Sequence, residues 1–122
     1  MRNKIQEKLN EIDPHIYYGM VPDIVEIDKW NYFVFGQQRM KKSGSSSHDL
    51  NGYWYVVIVR EDFIPDDLVK NVITKLTEIP GLRLADGDFQ YEYITKGGTN
   101  IVVEMVMLTF TKMKKGITNA DD

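Results

Sequence analysis

The sequence predicts an α+β fold: a mainly antiparallel sheet of about four or five strands, with an N-terminal helix and one helix between two β-hairpins packed on it. Three observations lead there. The runs WNYFVFGQ (Trp30 to Gln37) and GYWYVVIVR (Gly52 to Arg60) are dense in the aromatic and β-branched residues that suit a pleated surface. IPDDLVKNVITKLT (Ile64 to Thr77) has the apolar spacing of an amphipathic helix. Two more β-rich runs, Phe89 to Thr95 and Asn100 to Thr111, flank Lys96-Gly97-Gly98-Thr99, a hairpin signal.

Each element has its own signature. Ile5, Leu9 and Ile12 recur at helical spacing and Asp13-Pro14 stops the pattern, so residues 2–11 read as a short helix that needs a sheet or a neighbouring subunit to lie on. His15 to Met20 reads as a short strand and Val21 to Lys29 as a connection. Trp30 to Gln37 and Gly52 to Arg60 pair as an antiparallel hairpin across a loop, residues 37–50, far longer than the usual two to five residues. In the second helix Pro65 occupies a first-turn position, and Asp66 and Asp67 sit where the helix dipole favours negative charge. Its apolar face is Leu68, Val69, Val72, Ile73 and Leu76, and Pro80-Gly81 ends it. The last strand carries Val102, Glu104, Val106, Leu108 and Phe110 on one side, and Ile101, Val103, Met105 and Met107 on the other. With both sides apolar it is predicted to be central, one face under the helices and the other against something else. Residues 1–112 form one domain, and 113–122 a polar tail.

Composition narrows the function classes. At 122 residues the chain suits a single core that buries about two-thirds of its unfolded surface. The absence of Cys removes disulfides, thiolate zinc sites and Cys nucleophiles together. The opening MRNKIQEKLNEIDP lacks a secretory apolar region, and no apolar run approaches the roughly 18 residues of a membrane span, so a soluble, cytoplasmic protein is expected. A net charge of −3 argues against broad phosphate-backbone binding, despite local clusters at Arg39, Lys41 and Lys42 and at Lys112, Lys114 and Lys115.

Candidate chemistry is sparse. His15 and His48 are too few for a zinc site, and adjacent Ser47-His48-Asp49 cannot form a nucleophile–base–orienter triad. Asp86-Gly87-Asp88 lacks the remaining oxygen ligands of a Ca²⁺ loop, and Gly97-Gly98 lacks phosphate-loop spacing. Glu104 is the one acid embedded in apolar strand sequence, expected to be half-exposed or at an interface. Tyr17, Tyr18, Tyr32, Tyr53, Trp54, Tyr55, Tyr91 and Tyr93 could stack bases, but on strands of an acidic protein core or subunit interface is the better reading. No catalytic, cofactor or metal site is assigned, and no enzyme is expected. The surplus apolar β surface, with Met105, Met107 and Met113, points to burial against other chains.

The segments YYGMVPD (Tyr17 to Asp23), WNYFVFG (Trp30 to Gly36), KKSGSSSHD (Lys41 to Asp49), EDFIP (Glu61 to Pro65), IPGLRLA (Ile79 to Ala85) and VVEM (Val102 to Met105) occur in that order. Over residues 12–112 the chain resembles the tail terminator, or tail-completion, proteins of long-tailed bacteriophages. The resemblance implies a virion structural protein of the neck, assembled in the host cytoplasm. It would form a homo-oligomeric ring, usually of six subunits, that stops tube polymerisation and provides the head-docking surface. Its partners would be the tail tube protein and a head-completion or connector protein, with DNA only as passing genome and no membrane contact. Another head–tail joining protein of the neck is the alternative, and a nucleic-acid-binding module a more distant one. On this reading Trp30, Phe33, Tyr53, Tyr55, Met105 and Met107 contact a neighbouring subunit or the tube. The loop residues Arg39, Lys41, Lys42, Ser43, Gly44, Ser45, Ser46, Ser47 and His48 order on a partner. Glu61, Asp62, Asp66 and Asp67 are candidates to face the channel.

Overall fold

Every residue from Tyr53 to Val59 is aromatic or β-branched, and this run is the middle of the strand around which the sheet is built. In the computed structural model, which describes residues 1–22, 28–42, 49–85, 87 and 89–115, the elements are α1 (Arg2–Asn10), β1 (Ile16–Tyr18), β2 (Tyr32–Lys42), β3 (Asp49–Glu61), α2 (Asp66–Thr77), β4 (Arg83–Leu84), β5 (Tyr91–Thr95) and β6 (Val102–Lys115). The fold is α+β. The six strands run β1-β2-β3-β6-β4, with β5 also on β6 beside β4. β1 pairs with β2 in parallel and every other pairing is antiparallel, so the sheet is mixed. Parallel pairing requires a connection that returns the chain to the start of the neighbouring strand, which residues 19–31 provide.

Register assigns the faces. Phe33 pairs with Ile58 and Ile58 with Val106; Phe35 pairs with Val56 and Val56 with Leu108; Trp54 pairs with Phe110. These rows meet Met1, Ile5 and Leu9 at α1 and Val69, Val72 and Leu76 of α2 in one buried core. Each fully buried aliphatic or aromatic side chain there contributes about 1.5–3 kcal/mol. Met1, Ile5 and Leu9 recur every fourth residue, the narrow stripe of a helix that is stable only when packed. α2 opens with Asp66 and Asp67, which complement its dipole. The helices are tied by Lys8 to Glu78 and Lys75 to Glu11, each at 2.8 Å.

Three expectations about the strands need correction. The hairpin does not loosen at Gln37: after an irregularity between Gln37 and Arg39, β2 continues to Lys42, pairing Lys41 with Asn51 and Lys42 with Leu50. β6 likewise runs to Lys115, pairing Asp49 with Lys115, so the tail does not begin at Met113. The added strand β4, only Arg83–Leu84, raises the strand number beyond the expected four or five. Lysine-rich strand ends lack the apolar alternation that marks a strand, and cross-strand pairing carries them regardless. Ser43 to His48 lie outside the described residues.

Candidate assembly surface

The helices cover one face of the sheet only. On the other face, register aligns Tyr17, Val34, Val57 and Met107 across β1, β2, β3 and β6, and places Tyr55 beside Thr109 and Tyr32 beside Val59. Val34, Tyr55, Val57 and Met105 are half-buried, and Met107 is 46 % exposed. At the sheet's end Ile94, on β5, adds another exposed apolar side chain. An uncovered sheet face of this chemistry would ordinarily be polar.

The surface is locally shaped by Tyr55. A Cβ on its cross-strand partner Gly36 would lie 2.8 Å from the Tyr55 hydroxyl oxygen, so glycine is what lets the ring lie across β2. The hydroxyl then donates to the Gly19 carbonyl at 3.1 Å, just beyond β1, while the Gly19 N–H donates to the Phe35 carbonyl at 2.8 Å. One side chain thus fastens the short parallel edge to β3.

A polar latch closes the other end of this face. Glu61 accepts the Trp30 N–H at 2.7 Å and the Lys96 ammonium at 3.0 Å, and its own N–H donates to Asn31 Oδ1 at 3.0 Å. Lys96 also donates to the Asp28 carbonyl and lies 5.9 Å from the centre of the Trp30 ring. The Trp30 N–H, then Lys96, hold the Glu61 carboxyl below its ordinary range. Val59 and Val103, on this face and near the latch, are buried although no helix covers them.

Of the residues expected at an interface, Tyr53, Tyr55, Met105 and Met107 share the open face, and Trp30 belongs to its latch. Phe33 does not: it faces the helices with no exposed surface, paired with Ile58, and is a core residue. Arg39, Lys41 and Lys42 stand in β2 rather than in a loop. Among the acids proposed for a channel, Glu61 is engaged by Trp30 and Lys96, whereas Asp62, Asp66 and Asp67 are exposed on the connection to α2 and its first turn. Glu104, expected half-exposed or at an interface, is buried within the chain itself; its carboxylate accepts the Ile64 N–H at 2.5 Å ahead of α2. That bond and the Lys96 latch join residues distant in sequence, and no local pattern announces either.

An open cleft of about 540 Å³ is lined by Asp13, His15, Tyr17, Asp28, Lys29, Asn31 and Tyr32. Asp13 Oδ1 sits 2.7 Å from the exposed His15 ring nitrogen Nδ1, and Asp13 Oδ2 is 3.5 Å from Arg60. Burial, and then Tyr17, push the Tyr32 phenol up, away from the phenolate a nucleophile would need. Among the described residues no three His, Cys, Asp or Glu side chains converge to hold a metal ion, and no helix is long and apolar enough to cross a membrane. Asp86, Asp88, Ser47 and His48 lie outside those residues. The chain matches no protein-family model and shows no significant similarity to a curated protein.

Proposed function

We propose that this chain is a structural subunit of a ring at the head-proximal end of a phage tail tube, where it terminates tube polymerisation and offers the surface on which the head docks. The observation that carries this reading is the apolar face of β2, β3 and β6 that neither helix covers among the described residues, with Val34, Tyr55, Val57 and Met105 half-buried and Met107 exposed. The ordered series of segments from Tyr17–Asp23 to Val102–Met105, which resembles that of tail terminators, supports the choice of assembly. A sheet face braced from behind by two helices is a stiff platform, and burying it against a neighbour or the tube end would supply the apolar contact that association needs.

The test is in vitro capping. Tail tube protein polymerising from a nucleating tip is mixed with this protein, and tube length is followed by electron microscopy. Capping predicts that elongation stops and that a ring of density appears at the growing end. Unchanged elongation with binding to the portal side of an isolated head would replace the reading with a neck-joining role.

A further inference from the structure

β5 is hydrogen-bonded to β6 on one side only, and all five of its residues are exposed. Edge strands usually carry Lys, Pro or a bulge that discourages further pairing; YEYIT has no Lys or Pro, and its register with β6 is unbroken. The hairpin determines which of its backbone groups are free. The Lys96 N–H donates to the Ile101 carbonyl at 2.9 Å, so alternation along an antiparallel pair makes Ile94–Val103 and Glu92–Met105 the next hydrogen-bonded pairs. The Val102 carbonyl accordingly points the other way, to the Asp62 N–H at 2.8 Å. Tyr91, Tyr93 and Thr95 therefore turn their N–H and C=O groups to the free edge, and among the described residues no hydrogen bond reaches those groups. Tyr93 does not screen them: its hydroxyl is hydrogen-bonded to Glu104, its partner on β6, so the ring leans inward over the sheet.

This set of groups is symmetric about Tyr93. A second β5 laid antiparallel with Tyr93 opposite Tyr93 brings Tyr91 opposite Thr95 twice, and every outward N–H meets a C=O. The same register keeps like charges apart, because Glu92 falls opposite Ile94. Sliding by two residues either way leaves Tyr91 or Thr95 opposite a residue outside the strand, and one of the two slides sets Glu92 against Glu92. We infer that two copies of this chain pair through their β5 edges, antiparallel and centred on Tyr93, into one continuous sheet. The two-fold axis is normal to the sheet, so both helix layers share one side and both open faces the other, with Ile94 of each copy at the seam. Neighbours in a head-to-tail ring are not related by such an axis; the pair is a state of the free chain and stands apart from the tail reading.

The chain has no cysteine, so a single engineered thiol reports the register. Residues directly opposite in a hydrogen-bonded pair have Cα atoms about 5.5 Å apart, within disulfide reach. Tyr93→Cys, under mild oxidation of the full chain, should form a covalent dimer at least about tenfold faster than Ile101→Cys, an exposed position off the edge. Sedimentation velocity of the unaltered chain should show a monomer–dimer equilibrium with a Kd between roughly 1 μM and 1 mM. Ile94→Glu, which sets a carboxylate against Glu92 twice in the pair, should weaken it about three- to thirtyfold, and adding Glu92→Lys should restore it. Circular dichroism checks that these variants at exposed positions fold. A monomer at every concentration up to about 1 mM would overturn the inference. So would cross-linking no faster at position 93 than at 101, a dimer indifferent to Ile94→Glu, or a Glu92→Lys/Ile94→Glu chain that pairs as weakly as Ile94→Glu alone. A dimer lost on Met107→Glu instead would place the contact on the open face and overturn it equally.

Discussion

Gly36 and Tyr55 are a coupled pair. Gly36→Ala places a methyl against the Tyr55 ring and forces it off the Gly19 carbonyl, so the expected cost is about 1–3 kcal/mol by urea denaturation. In a Tyr55→Ala background the same change should cost little, and the double-mutant cycle measures the coupling. Glu61 gives the latch a pH dependence. Its folded-state pKa is depressed, so its contribution is present above the unfolded glutamate value of about 4.3 and is lost as pH falls through the lower folded value. Glu61→Gln should therefore be less stable at pH 7 and lose less stability on acidification; parallel acid-unfolding curves for the two proteins would refute the latch. Single residues were the hardest part to read in the sequence. The run WNYFVF has aromatics at both strand parities, and only the pairing of Phe33 with Ile58 reveals that it faces the helices. The acceptor role of Glu104 is made by a backbone group forty residues away in sequence.

At the level of elements, β6 carries the clearest test, because Leu108 and Met107 are neighbours on opposite faces. Leu108→Ala removes a fully buried side chain and should cost about 2–5 kcal/mol. Met107→Glu alters a side chain 46 % exposed and should change stability by no more than about 0.5 kcal/mol while abolishing assembly. Equal destabilisation by both, or assembly by the Met107 variant, would argue that the open face has no partner. Glu104→Leu should cost about 1–3 kcal/mol more than Glu104→Gln, since only the glutamine retains an acceptor for the buried Ile64 N–H. The elements themselves were largely legible. Period-two alternation separated the sides of β6, and Asp66, Asp67 and the apolar spacing defined α2. The ends of the long hairpin were not legible, because Lys41, Lys42 and Lys114 have no apolar alternation and are carried in the sheet by pairing.

For the whole molecule, helices lie on one face of the sheet and apolar side chains on the other, and on the proposed reading that second face meets a neighbour. A cyclic ring requires two different patches that meet head to tail, and the open face would be one of them. The most direct test of the terminator account is electron microscopy of a lysate from which this gene product is missing, with tail length and head attachment compared against the intact case. The account predicts overlong tails without heads. Tails of normal length beside full, unattached heads, or intact particles, would contradict it.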